Sequence, residues 1–87
     1  MVTFTYRIQD PLGVHARPAG MLRERVSSHQ SQVAVIIGEK NCVVNDGFLR
    51  LMAMSIHCGD VVIFEVTGDD EVEAAADLKM FLESVSF

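Results

Sequence analysis

The sequence predicts an α+β domain with the element order βαββαβα, in which a four-stranded antiparallel sheet carries three helices on one face. Three observations support this prediction. The N-terminal residues alternate apolar and polar side chains, which is the period of a strand with one buried face. Two β-branched segments are joined by a short turn that contains glycine, as in a hairpin. Other segments place apolar residues three and four positions apart, as helices do. Hairpin strands with segregated helices give an antiparallel sheet whose other face is open to solvent.

The first strand and the first helix are separated by a turn. The apolar residues of the strand, which we expect to face the core, are Val2, Phe4, Tyr6 and Ile8. The letters DPLG end the strand, because proline presets φ and glycine permits a turn. A helix is then predicted from Ala16 to about Ser28, and Pro18 lies in its first turn, where the missing N–H costs nothing. The apolar positions of this helix are Ala19, Leu22 and Val26.

The middle of the chain is predicted to contain a hairpin and a short helix. QVAVIIG and KNCVV are the two strands, and Gly38 and Glu39 form the turn. The letters NDG at 45–47 supply cap-type side chains for a short helix. Three residues of this segment share a buried side, namely Leu51, Met54 and Ile56. Three others point outward and form an unusually apolar exposed set, namely Phe48, Leu49 and Met52.

The C-terminal part of the chain is predicted to be a strand followed by a long helix. DVVIFEV places Val62, Phe64 and Val66 on one face of a fourth strand. The segment TGDDEVEAAADLKMFLESVSF offers a threonine or an aspartate as helix cap, and acids in the first turn, where the helix dipole favours them. The apolar stripe of the helix is Ala74, Ala75, Leu78, Phe81, Leu82 and Val85.

Length and composition limit the class of protein. The 87 residues, 49% of them hydrophobic, suffice for one core, so we expect a single domain over residues 1–87. No apolar segment approaches the roughly 18 residues of a membrane span, and the N-terminus lacks the pattern of a signal peptide. We therefore expect a cytoplasmic protein with no membrane partner. Cys42 and Cys58 are too few for a disulfide framework or a zinc site, and we interpret both as structural thiols.

The charge of the chain is unevenly distributed. Of 12 acidic and 7 basic residues, which give a net charge of −5, residues 65–87 contain seven acids and one lysine. An acidic protein is a poor general binder of nucleic acid, because binding to phosphates requires clustered Lys or Arg. We therefore expect no nucleic-acid partner. One local basic group remains directly after His15, and it consists of Arg17, Arg23 and Arg25.

His15 directly precedes the first predicted helix and is the candidate chemical group. Unpaired amides and the positive end of the helix dipole meet at such a position, where anions bind, phosphate above all. The same field disfavours an imidazolium, which leaves one ring nitrogen with a lone pair. Arg17 adds a planar donor fork that matches phosphate oxygens. Together these features describe a phosphoryl acceptor, although from the residues alone an ordinary loop histidine is the more common outcome.

The other histidines are assigned to surface or turn roles. A metal or nucleophile pair of His57 and Cys58 is disfavoured, because neighbours in sequence point apart on most backbones. The sequence contains no clustered ligand set and no paired carboxylates near His15, so a metal-binding or hydrolytic protein ranks last. We predict no cofactor and no metal.

The segment GVHARPAG at 13–20, within the predicted element order and followed by NDGFLRLMAMSIHCGD, resembles the HPr family. These proteins are the histidine-containing phosphocarriers of the phosphoenolpyruvate:sugar phosphotransferase system. The resemblance covers essentially the whole chain, and it implies an open-faced β-sandwich and a bacterial carrier rather than an enzyme. It also implies that His15 takes a phosphoryl group on Nδ1 from phosphorylated enzyme I and passes it to a IIA domain of a sugar permease.

The resemblance also assigns roles to the residues around His15. Arg17 and the amides of Ala16 and Arg17 would hold the phosphoryl oxygens, Pro18 would shape the start of the helix, and Gly13 would form the turn that presents the ring. Outward side chains would form a docking patch used by both donor and acceptor, because methionines suit a surface that fits several partners. The members of this docking patch are Met21, Phe48, Leu49, Arg50 and Met52. We expect a monomer.

Two departures from the family pattern bear on function. Many members carry a regulatory serine at the start of the second helix, where this chain has Asn45, Asp46 and Gly47, so we expect serine regulation to be absent. Asp46 could supply a constant negative charge there. The outer side of the first helix carries Glu24 and Ser27 where the family often has basic residues. Two alternative functions remain open: a phosphohistidine relay with a regulatory role in nitrogen or transcriptional control, and an interaction module that transfers no phosphate.

Overall fold

The structure, a computed structural model, describes residues 1–87 and has the predicted order βαββαβα. Its strands are β1 (Val2–Arg7), β2 (Gln32–Ile37), β3 (Lys40–Val43) and β4 (Val61–Thr67). Its helices are α1 (Ala16–Ser27), α2 (Leu49–Ala53) and α3 (Glu71–Ser84), with a 3-10 turn at Val44–Asp46. None of these helices has the length and apolar character needed to cross a bilayer.

The four strands form one sheet in the order β1-β4-β2-β3, and every neighbouring pair is antiparallel. The predicted hairpin of β2 and β3 is present, with Ile37 opposite Lys40 across its turn. The inner strand β4 pairs with β1 and β2. In the β1–β4 pair Phe4 lies opposite Phe64, and their stacked rings have centroids 5.0 Å apart. The predicted α+β fold is therefore confirmed.

The hydrophobic core lies between the sheet and the helices. The alternation predicted for the strands is observed, since Phe64 is buried while Val61 and Ile63 on the opposite face are exposed. The hydroxyl of Tyr6 donates to the carbonyl of Leu82 at 3.0 Å and so links β1 to the end of α3. The helix residues buried in this core are Ala19, Leu22, Val26, Leu51, Ala74, Ala75, Leu78, Phe81 and Leu82.

Neither side chain predicted as a helix cap makes a capping hydrogen bond, although Asp70 occupies the N-cap position of α3. The side chain of Asn45 caps no helix; it accepts the amide of Val33 at 2.7 Å and donates to the carbonyl of Ser31 at 3.1 Å. Asp70 precedes α3 without a capping hydrogen bond. Its carboxylate accepts the amide of Gln30 at 3.0 Å and the hydroxyl of Ser31. Both side chains satisfy donors around the start of β2, a long-range role that local sequence does not reveal.

His29, assigned to a surface or turn role, lies in the bend that follows α1, but its side chain is mostly buried there. Only 18% of its side chain is exposed, and its ring lies between two carboxylates. Nε2 is 2.7 Å from Asp77, and Nδ1 is 3.5 Å from Asp70. Arg25 makes two hydrogen bonds of 2.9 Å to Asp77. These contacts fasten the end of α1 to α3, so Arg25 does not belong to a basic group around His15.

Candidate functional site

The turn that leads to His15 depends on a glycine. Gly13 has φ +70°, and its amide donates to the carbonyl of Asp10 at 2.8 Å. A Cβ on Gly13 would lie 2.4 Å from the carbonyl oxygen of Ile56, which accepts the amide of Val14 at 3.1 Å. Only glycine combines this backbone conformation with so close an approach. The expected turn residue is thus held against the segment that follows α2.

His15 occupies the N-cap position of α1 with an extended backbone, φ −128° and ψ 178°, and its side chain makes no capping hydrogen bond. The helix begins at Ala16, and the carbonyl of His15 accepts the amide of Ala19 at 3.1 Å. Amides at a helix start have no intrahelical acceptor, and Pro18 has no N–H. The amides of Ala16 and Arg17 are therefore left available next to the histidine.

The ring of His15 is held by a carboxylate. Its Nε2 lies 3.0 Å from Oδ2 of Asp10, and the two side chains are 36% and 22% exposed. The other carboxylate oxygen, Oδ1, accepts the amide of Leu12 at 2.9 Å. The hydrogen bond from the Leu12 amide, and to a smaller extent the contact with His15, holds the pKa of Asp10 below its usual range. The side chain is therefore a carboxylate at neutral pH. Nδ1 of His15 has no hydrogen-bond partner in the protein.

His15 lines an open depression of about 430 Å³. The exposed Arg17 is the only cationic side chain in its wall. Pro18, in the first turn of α1, is buried and anchors this end of the helix. The remaining lining residues are Asp10, Leu12, Met21 and Val85. The site thus presents one ring nitrogen, two amides and one guanidinium to solvent, and no group of three or more metal-binding side chains lies in the structure.

The residues predicted for the docking patch differ in exposure. Met21 lies in the wall of the His15 depression and is 38% exposed, and Leu49 is 74% exposed. Arg50 is exposed as well. Phe48 and Met52, predicted to point outward, are half-buried and pack against the core. The ring of Phe48 lies next to Gly20 of α1. The predicted outward orientation is therefore confirmed for Leu49 and only partly correct for Phe48 and Met52.

Three residues of the site are not predicted from the sequence, namely Asp10, Leu12 and Val85. The sequence pattern predicts only a turn at Asp10, although an aspartate in a turn commonly accepts a backbone amide two residues on. Leu12 lies in the same turn, and its 76% exposure marks it as a surface residue. Val85 reaches the depression from the C-terminal end of α3. Its position beside His15 depends on how α3 packs, which no local pattern encodes.

Comparisons with known proteins agree with this architecture. Residues 2–84 match the family model described as PTS HPr component phosphorylation site. The phosphocarrier protein HPr of Mycoplasma genitalium is 33% identical over 88 residues, covering 95% of this chain and 94% of that protein. The histidine-containing phosphocarrier protein of a mycoplasma has a similar structure, with TM-score 0.91 at 28% identity over 98% of this chain and 96% of that one. An HPr dimer of Thermoanaerobacter tengcongensis gives TM-score 0.74 at 31% identity, over 100% and 99%.

The family match covers nearly the whole chain, and the fold of the solved relatives agrees with the one described above. The chain therefore belongs to the HPr family of phosphocarrier proteins of the phosphotransferase system.

Proposed function

We propose that this protein carries a phosphoryl group on Nδ1 of His15, accepts it from phosphorylated enzyme I and donates it to IIA domains of sugar permeases. The observation that carries the proposal is the position of His15 at the start of α1, beside the free amides of Ala16 and Arg17 and the guanidinium of Arg17. An amide pair at a helix start and a planar cation suit a phosphoryl group.

The transfer needs little covalent machinery. The lone pair on Nδ1 of His15 attacks phosphorus. The N–P bond to the phosphorylated residue of enzyme I, a histidine by the family resemblance, breaks with its electron pair staying on the donor nitrogen. Arg17 and the two amides offset the charge on the three phosphoryl oxygens during this exchange. The rest of the rate acceleration comes from positioning the two histidines, because they react within a bound complex and not by free collision. The protein is a carrier in this scheme and returns unchanged after donation.

The surface beside His15 supports docking of both partners. Leu12 and Met21 line the depression of His15, and Leu12 and Leu49 are about three-quarters exposed. Exposed apolar side chains of this size mark surfaces for protein contact. Arg50 adds a positive charge that can pair with an acidic partner. We therefore include Leu12 in the docking patch.

Regulation by serine phosphorylation is not part of the proposal, because the 3-10 turn before α2 contains no hydroxyl. Asp46 is exposed there and lines a depression with Leu49 and Arg50. We propose that it contributes a constant negative charge beside the docking patch. Asp46→Asn tests this proposal, which is dropped if the affinities for enzyme I and IIA are unchanged.

Phosphoryl acceptance is tested with purified protein, phosphoenolpyruvate, magnesium and a standard enzyme I. Intact mass spectrometry should show one added, acid-labile phosphoryl group that His15→Ala lacks. His57→Ala is the matched control, since His57 is a highly exposed histidine in a turn and should accept phosphate normally. Acceptance by the folded His15→Ala variant would overturn the assignment. No acceptance by the wild type, even from the enzyme I of its own organism, would favour the interaction module.

The docking patch is tested separately from the chemistry. Leu49→Ser should raise the concentration of protein needed for half-maximal transfer from enzyme I. Val72→Ser on α3 is the matched control, because Val72 is exposed to a similar extent, 71% against 74%. Equal kinetics for the two variants would refute the docking role of Leu49. Transfer to purified IIA domains, compared with transfer to regulatory proteins, separates a role in transport from a regulatory relay.

A further inference from the structure

A carboxylate beside His15 sets this site apart from a bare histidine at a helix start. Asp10 lies five residues before His15, and the turn between them brings Oδ2 to 3.0 Å from Nε2. The turn is fixed on both sides, because the amide of Gly13 bonds to the Asp10 carbonyl and the amide of Leu12 bonds to Oδ1. The amide of Asp10 itself donates to the carbonyl of Phe87 at 3.1 Å. Asp10 is therefore held by four contacts, two on its backbone and two on its carboxylate, and His15 makes one of the latter.

The contact determines which ring nitrogen carries the proton. A carboxylate can only accept hydrogen bonds, so Nε2 of His15 must be the donor. In a neutral ring the proton then resides on Nε2, and Nδ1 keeps its lone pair. Nδ1 has no partner in the protein, so this lone pair is free for attack. The only other charged side chain in the wall of the depression is Arg17, a cation that does not compete for the Nε2 proton.

We propose that Asp10 is a positioning residue of the phosphoryl transfer, which holds His15 in the Nε2–H tautomer and faces the cationic ring that forms when Nδ1 is phosphorylated. The inference rests on the function proposed above. Asp10 does not touch the phosphoryl group, because Nε2 and Nδ1 point to opposite sides of an imidazole ring.

The charge balance of the transfer explains why a carboxylate should face the ring when Nδ1 is phosphorylated. When the neutral ring forms its N–P bond through Nδ1, it keeps the proton on Nε2 and becomes a cation, and no proton has to move. The carboxylate of Asp10 already faces that proton at 3.0 Å. A charge placed in advance where charge develops stabilises the product and the transition state that leads to it. When the phosphoryl group leaves, the lone pair returns to Nδ1 and the ring is neutral again.

Two substitutions of Asp10 separate its effect on the His15 tautomer from its role in the turn. In Asp10→Asn the side-chain oxygen can still accept the amide of Leu12, and the NH2 group then faces Nε2 of His15. An NH2 group donates, so it favours a lone pair on Nε2 and moves the ring proton to Nδ1. In Asp10→Ser the hydroxyl can still accept the Leu12 amide, as serine does in such turns, but it does not reach the ring. Serine therefore removes the hydrogen bond to Nε2, whereas asparagine reverses its direction, so that Nε2 becomes the acceptor.

The first readout is the 15N shifts of the His15 ring in unphosphorylated protein, above the pH range in which an ordinary histidine titrates. The wild type should show a protonated Nε2 and an unprotonated Nδ1. Asp10→Ser should show a mixture of tautomers, and Asp10→Asn should be enriched in the Nδ1–H form. Wild-type ring shifts in Asp10→Asn would overturn the proposal, and this outcome does not depend on whether the protein carries phosphate.

The second readout is the rate of phosphoryl acceptance from phosphorylated enzyme I. Asp10→Asn should be slower than the wild type by at least about tenfold, which corresponds to about 1.4 kcal/mol in the barrier. Asp10→Ser should fall between the two. Equal rates for all three proteins would overturn the positioning role and leave His15 as the acceptor. A wild type that accepts no phosphoryl group while its ring shifts agree with the prediction would refute the proposed function instead.

Discussion

Gly13→Ala tests the physical basis of the turn that presents His15. The substitution adds one methyl group at a residue with φ +70°, where its carbon would lie 2.4 Å from the carbonyl oxygen of Ile56. That oxygen cannot retreat freely, because it accepts the amide of Val14 at 3.1 Å. Gly38→Ala is the matched control, since Gly38 has φ +58° in the β2–β3 turn and a Cβ there would meet nothing within 4 Å.

The difference between the two variants isolates the close contact. A left-handed backbone costs a non-glycine residue about 1–2 kcal/mol, and both variants lose this amount. Both also gain the same small benefit from a less flexible unfolded chain. Overpacking against fixed atoms adds about 1–3 kcal/mol for Gly13→Ala only. Because the first two contributions are shared, the free energy of unfolding should fall by about 1–3 kcal/mol more for Gly13→Ala than for Gly38→Ala.

Urea denaturation followed by circular dichroism measures both values, and equal slopes would show that the two variants unfold to the same extent. Phosphoryl acceptance is then compared in conditions where both variants are folded. It should fall for Gly13→Ala, because relief of the contact moves the turn and the ring of His15 with it, and stay normal for Gly38→Ala. Equal loss of stability in the two variants would refute the argument that the Ile56 carbonyl fixes this turn.

Three further predictions concern contacts that hold the sheet and helices together. Arg25, and to a smaller extent His29, hold the pKa of Asp77 below its usual range. The stabilisation that these contacts give is present above the pKa of Asp77 in the unfolded chain, about 3.9, and is lost as the pH falls through its lower pKa in the folded protein. Asp77→Asn should therefore be less stable at neutral pH and lose less stability on acidification than the wild type; parallel curves in urea titrations at several pH values would contradict this. Asn45→Ala leaves the buried amide of Val33 without its acceptor, so it should lower the free energy of unfolding by about 1–3 kcal/mol. Asn41→Ala is the control, because Asn41 is exposed on β3 and its loss should have little effect in the same denaturation assay. Tyr6→Phe should cost only about 0.5–1.5 kcal/mol, because the Leu82 carbonyl keeps the amide of Phe87 as a partner, and a loss as large as that of Asn45→Ala would refute this distinction.

We propose that the protein is a monomer in solution. The chain is expected to be a monomer, although one relative with the same fold is an HPr dimer. Sedimentation velocity over a range of concentrations distinguishes the two states. If a dimer forms, repeating the measurement with Leu49→Ser and Val72→Ser shows whether the docking patch or α3 mediates it, since both side chains are exposed in the single chain.

Local sequence determined the elements of this protein and most of their buried faces. The alternation of Phe4 and Tyr6 in β1, and the spacing of Leu22 and Val26 in α1, fix which side of each element is apolar, and the apolar side must be buried. The segment that contains His15 is also recognisable from local sequence, because a glycine turn, a histidine and a helix start are consecutive in the chain. Periodicity and turn chemistry are local properties, and a sequence states them directly.

Contacts between distant residues were decided only by the tertiary structure. Asn45 and Asp70 have cap-type side chains, yet their partners lie around the start of β2, 12 to 40 residues away in the chain. His29 is held between carboxylates from the loop before α3 and from α3 itself. At the functional site, Asp10 reaches His15 only because the turn folds back between them. The sequence alone determined where a chemical group could act, and the packing of the whole chain decided which groups surround it, because a side chain finds its partner in space and not in sequence order.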